Sequence, residues 1–129
     1  MACVEVADLV GKTIECDLAE IISRANLRDD RGDNYMIVSP ASGQRFPVMV
    51  ISFKGNHAVV SYVQDEESGM QLLTGDSSTE EDEMQFCSPA GGYDTYTSEF
   101  IVASSTAVRF LEAFVTGVPW PELPFWETL

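Results

Sequence analysis

RFPVMVISFKGNHAVVSYVQ, residues 45–64, is the stretch that decides the fold. Two runs rich in β-branched and aromatic residues, RFPVMVISFK (45–54) and HAVVSYVQ (57–64), flank Gly55 and Asn56. Such side chains fit a pleated, half-buried surface, and a Gly-Asn pair between two such runs reads as a tight turn. The stretch is a β-hairpin, so the chain contains an antiparallel sheet.

Further strands lie on either side. NYMIVS (34–39) is short and apolar and ends at the turn residues PASGQ. Downstream, MQLLTG (70–75) and EMQFCS (83–88) are weaker strand signals separated by the acidic loop DSSTEEDE, and SEFIVAS (98–104) predicts another strand. Helices bracket the strands. In DLAEIISRAN (17–26), Asp17 caps, Glu20 completes a capping box, and Leu18, Ile21, Ile22 and Ala25 form an apolar stripe. In TAVRFLEAFVTG (106–117), Ser104 or Ser105 is the expected cap. Val108, Leu111, Phe114 and Val115 share a side with Phe110 beside them, and Gly117 stands where a left-handed C-terminal cap belongs. The tail VPWPELPFWETL holds three prolines and cannot be helical. The sum is one α+β domain over residues 1–129. Its antiparallel meander of about four to six strands packs against an N-terminal and a C-terminal helix, with an extended Pro/Trp-rich tail.

Charge sets this chain apart. Twenty-one acids stand against seven bases, a formal net charge of −14. Residues 1–54 hold eight acids and six bases, whereas residues 55–129 hold thirteen acids and one base, Arg109. A field of this sign repels nucleic acid and anionic membrane and speeds the approach of basic partners. The start, MACVEVADLVGKTIECD, lacks a basic n-region with a long apolar run, and no segment reaches the about 20 apolar residues that cross a bilayer. A cytoplasmic location with reduced thiols is expected. Cys3, Cys16 and Cys87 are odd in number and show no CxxC spacing, so they predict neither a disulfide framework nor a zinc site.

Catalytic chemistry finds little support. His57, the one histidine, stands at a turn. Cys87 sits among acids, which raise a thiol pKa and oppose nucleophilic use. SPAGGY lacks the spacing and the lysine of a phosphate loop. Four consecutive acids at 80–83 do not reproduce the alternating ligands of a calcium loop. The expectation is no enzyme, no cofactor and no metal, with a small hydrolase using carboxylates as the rival from the enzyme class.

Binding has positive signals. Asp65, Glu66 and Glu67, then Asp76, Glu80, Glu81, Asp82 and Glu83, and finally Asp94 are all expected in loops after the hairpin. If those loops share an edge of the sheet they form a concentrated negative patch. Tyr93 and Tyr96 are the aromatic candidates within it. Tyr62 and Trp120 are of the same interface-anchoring type, combining a large apolar surface with a polar handle.

The segment SEFIVASSTAVRFLEAFVTGVPWPELPFWE (98–127) runs from a strand into a capped helix, then Thr-Gly, Pro and Trp. Together with FPVMVISFKGNHAVVSYV (46–63) it resembles the immunity-protein family associated with deaminase toxins of bacterial polymorphic toxin systems. The resemblance covers about residues 34–64 and 98–127. It implies a small single-domain antitoxin that binds a cognate toxin and blocks its active site. The toxin would carry a basic nucleic-acid-binding cleft and its own catalytic zinc, and the antitoxin would touch neither nucleic acid nor membrane. Thr116, Gly117, Pro119 and Trp126, at the matched positions, are implied to be structural. A generic acidic adaptor or nucleic-acid mimic that inhibits another basic protein is the remaining alternative.

Overall fold

Val48–Lys54 and His57–Val63 pair antiparallel from Val48↔Val63 to Lys54↔His57, so the hairpin read from the sequence is present in full register. Gly55 occupies the first turn position at φ +56°, in a region that L-residues enter only at a cost. Around it the computed structural model describes residues 4–40, 44–74, 79–122 and 125–128. Cys3, Asp76 and most of the turn after NYMIVS lie outside the described residues.

The strands are β1 (Val4–Asp8), β2 (Gly11–Cys16), β3 (Asp33–Pro40), β4 (Val48–Lys54), β5 (His57–Val63), β6 (Gln71–Thr74), β7 (Glu83–Cys87), β8 (Tyr93–Thr97), β9 (Val102–Ala103) and β10 (Phe125–Thr128). Helix α1 (Leu18–Ala25) follows β2, and α2 (Ser104–Thr116) follows β9. One antiparallel sheet has the order β10-β6-β5-β4-β3-β1-β2, with β9 added beside the start of β5, and β7 and β8 form a separate pair.

Both helices cover one face of the large sheet. Val6, Met36, Val38, Met49, Ile51, Phe53, Val60 and Leu73 point to that side and bury against Ile21, Ala25, Phe110, Leu111 and Val115. On the reverse face, Val59 and Leu72 bury under Phe86 and Ile101, with Met84, Tyr96 and Phe100 half-covered beside them. The β7–β8 pair packs through β7 against β4 and β3 on that side, and Phe86 reaches Val59 and Leu72.

The α+β class matches the sequence reading, but four details differ. First, a strand pair precedes α1, so the helix is not the first element. Val4, Val6 and Asp8 alternate inward in β1, and a carboxylate at the third inward position breaks the apolar period that marks a strand. Second, the large sheet has eight strands rather than four to six. Third, SEFIVAS is mostly not a strand. Ser98–Phe100 makes a 3-10 turn, closed by Ile101 N–H donating to Ser98 O at 3.1 Å, and only Val102–Ala103 pairs. Its apolar run arises because Ile101 and Val102 bury in different cores on opposite faces. Fourth, the tail ends in β10, which completes the sheet edge beside β6.

The helix ends show how local chemistry is met. Asp17 Oδ1 accepts the Glu20 N–H at 2.9 Å, the expected α1 cap. At α2 neither serine caps: the cap residue is Ala103, and Ser104 and Ser105 lie inside the first turn. The Ser104 N–H donates to Asn56 O at 2.8 Å, so the central hairpin turn takes up one of the amides left open at the helix start. Gly117 ends the helix at φ +74°, as read from the sequence.

Candidate functional site

The acidic segments of the second half fall into two groups. The first is built on the β7–β8 pair. Residues directly opposite in an antiparallel pair share a face. Met84 and Tyr96 are opposite, and with Phe86 they turn toward the reverse-face core. The alternate positions, Glu83, Gln85, Tyr93, Thr95 and Thr97, form the other face of the pair and are exposed. Glu80, Glu81 and Asp82 lead into β7, also exposed, and the Asp82 carbonyl accepts the Ser98 N–H at 2.9 Å, closing the base of the hairpin. Glu83 and Asp94, expected in loops, instead stand in β7 and β8, paired with Thr97 and Phe86 in the hairpin ladder, and Asp94 and Glu99 add two more exposed carboxylates. SPAGG, weighed as a phosphate loop, is the β7–β8 connection, folded by a Gly91 N–H to Ser88 O bond of 2.9 Å.

A polar chain fastens this hairpin to the large sheet. The Tyr93 hydroxyl donates to Asp33 Oδ2 at 2.9 Å, and Arg31 Nη1 donates to the same hydroxyl at 3.2 Å. Lys54 Nζ lies 3.5 Å from Asp33 Oδ1, an ion-pair contact rather than a hydrogen bond. Asp33 is only 2 % exposed. Cys87 Sγ donates to Asn34 O at 3.3 Å. Burial, then Asp33 and Asp29, push the Cys87 thiol pKa up, so the neutral form prevails. Arg31, Lys54, Glu81, Glu83, Gln85 and Tyr93 line an open cleft of 660 Å³ between hairpin and sheet. Tyr93 keeps an exposed ring while its hydroxyl is engaged internally. Tyr96 is half-buried against Phe86, ring centroids 6.1 Å apart, and burial followed by Asp94 raises its pKa.

The second group is Asp65, Glu66 and Glu67, directly after β5. Asp65 Oδ1 accepts N–H bonds from Glu67 at 3.0 Å and Ser68 at 2.7 Å, so the carboxylate organises its own turn. This loop shares a 710 Å³ cleft with Gln44, Arg45 and Phe46. Lys54, beside the first acidic group, stands at one end of the β4–β5 hairpin, and Val63, leading into the second, stands at the other. The groups are thus about 20 Å apart along the strands, and the single edge considered from the sequence resolves into two patches.

The C-terminal motif residues take structural places. Thr116 Oγ1 donates to Glu112 O at 2.7 Å in the last helical turn. Gly117 caps, and Pro119 is exposed beside the helix end. Trp126 pairs with Leu73 and meets Tyr62, Phe110 and Trp120 at centroid distances of 5.5, 5.6 and 5.3 Å. Against this cluster lies an apolar groove of 370 Å³ lined by Pro47, Tyr62, Phe114, Val118 and Trp120. Sequence reading did not foresee the groove, although Tyr62 and Trp120 were marked as interface types.

A buried polar cluster also went unread. Arg24 Nε lies 3.2 Å from Asp8 Oδ2, both side chains under 10 % exposed, and Arg24 Nη1 donates to Cys16 Sγ at 3.4 Å. The available signal was an arginine between Ile21 and Ala25 on the apolar side of α1. Among the described residues, no group of three or more His, Cys, Asp and Glu is arranged to hold a metal, and no helix is long and apolar enough to cross a membrane. Comparison with protein-family models and with curated protein sequences finds no match.

Proposed function

We propose that this chain is an immunity protein, which binds a cognate toxin in the cytoplasm and blocks its active site with an acidic surface. The toxin is a nucleic-acid deaminase domain that supplies its own catalytic zinc; the immunity protein brings neither cofactor nor catalysis. One observation carries the reading. Glu80, Glu81, Asp82, Glu83 and Asp94 project from one small hairpin, and among the described residues none pairs with a base. The neighbouring cations are occupied within the chain, Arg31 by Tyr93 and Lys54 by Asp33. The acids are therefore left without an ion-pair partner among the described residues. An enzyme that handles nucleic acid presents cations where phosphates lie, and carboxylates can take those places. The resemblance of residues 34–64 and 98–127 to deaminase-associated immunity proteins supports the same partner.

Co-expression with a deaminase toxin domain encoded in the neighbouring gene is the test, and a neighbour without such a domain counts against the proposal. Growth of cells making both proteins, and arrest of cells making the toxin alone, is the expected result. A toxin that stays lethal while this chain accumulates folded and soluble overturns the proposal. It would leave the nucleic-acid-mimic reading, in which the same acids occupy a different basic protein.

A further inference from the structure

Charged loops at the rim of an interface mainly speed encounter, whereas a bulky apolar side chain buried at its centre slows escape. A durable acidic interface therefore needs an apolar seat beside its carboxylates. The groove between α2 and the end of the central hairpin meets that need. Its wall residue Pro47 follows Phe46, which lines the acidic cleft, and its wall residue Tyr62 stands three positions before Asp65. Groove and acidic cleft thus draw neighbouring residues from the same two chain segments, 44–47 and 62–67. Val118, 55 % exposed, forms part of the groove wall. Three carboxylates of the acidic cleft face one cation, Arg45, whose guanidinium lies 5.4 Å from the Phe46 ring centroid.

We infer that groove and cleft together form a docking site for a basic protein segment that carries one bulky apolar side chain flanked by lysine or arginine. The apolar side chain enters the groove between Tyr62, Phe114, Val118 and Trp120, and the flanking cations meet Asp65, Glu66 and Glu67. The occupant is fixed by charge complementarity to Asp65, Glu66 and Glu67 and by the apolar lining contributed from the same two chain segments. The inference rests on the acidic-binding reading and adds to it where, and by what chemistry, the partner is held.

The test uses the full chain, ¹⁵N-labelled, with two synthetic peptides, Lys-Lys-Leu-Lys-Lys and pentalysine. The leucine peptide is expected to shift the Trp120 indole and the Tyr62 and Val118 amides together with the Asp65–Glu67 amides. Pentalysine is expected to shift the acidic loops alone and to bind about tenfold more weakly, because burial of a leucine is worth at least that factor. Val118→Asn, a neutral change at an exposed position, should abolish the preference for leucine without weakening pentalysine binding. Equal affinity for both peptides, or a leucine peptide that leaves Tyr62, Val118 and Trp120 unmoved, overturns the inference while the acidic reading stands. Pentalysine that moves neither acidic loop defeats the acidic reading, and the inference with it.

Discussion

Tyr93 donates its phenolic proton to Asp33 Oδ2 at 2.9 Å, and through this bond the acidic hairpin is tied to the large sheet. Asp33 is buried, so losing the donor leaves a carboxylate oxygen short of a partner, at a cost of about 1–3 kcal/mol. Tyr93→Phe should therefore speed amide exchange across β7 and β8 while β3, β4 and β5 keep their protection. Unchanged protection of the hairpin would mean that Met84, Phe86 and Tyr96 hold it without this bond.

The Asp8–Arg24 pair calls for a different experiment. Removing one member of a buried ion pair strands the other and typically costs about 3–5 kcal/mol, whereas replacing both by apolar residues is often close to neutral. Arg24 also reaches Cys16 Sγ and, at 3.5 Å, Gly11 O, so it joins α1 to the β1–β2 hairpin. Asp8→Ala should lower the denaturation midpoint well below that of the double variant Asp8→Leu/Arg24→Leu. A double variant less stable than the single one would show that the pair is worth more than its desolvation.

Two exposed carboxylates set an acid-side expectation. The backbone N–H of Asp33 is the main cause holding the Asp29 carboxyl below its ordinary 3.8. The Ser68 side chain, then its N–H, does the same for Asp65. A carboxyl whose folded pKa lies below its unfolded one contributes stability that is complete above the unfolded value and is lost as pH falls through the folded value. Both turns should therefore stay intact at pH 5 and loosen only below the ordinary carboxylate range. Carboxyl NMR titration checks this, and Ser68→Ala should move Asp65 back toward 3.8. Titration of Asp65 at or above that value in the parent chain would contradict the turn geometry.

What the sequence revealed follows from which forces are local. The central hairpin was legible because Val48–Lys54 alternates, His57–Val63 is rich in β-branched residues and a glycine turn joins them, and α1 because its cap and stripe lie within ten residues. β10 was hidden because Phe125–Thr128 becomes a strand only by pairing with Gln71–Thr74, more than fifty positions earlier. The described acids, Asp65–Glu67, Glu80–Glu83 and Asp94, are exposed because nothing local buries them. Their division was not legible, because it depends on which end of β5 each loop meets. Tyr93 is another such case: its hydroxyl partner Asp33 lies sixty residues away, and no local pattern signals the bond.

The most direct test of binding through the acidic hairpin is stopped-flow association with the toxin domain, at low and high salt, for the parent chain and for Glu80→Gln/Glu81→Gln/Asp82→Asn/Glu83→Gln. These side chains are exposed, so the fold should survive. Electrostatic steering raises association by about 10–10³-fold and fades with ionic strength. The variant should associate at least about tenfold more slowly at low salt, with a flatter salt dependence. A variant that associates at the parent rate with the same salt slope would show that the hairpin acids only solvate the protein and do not meet the partner.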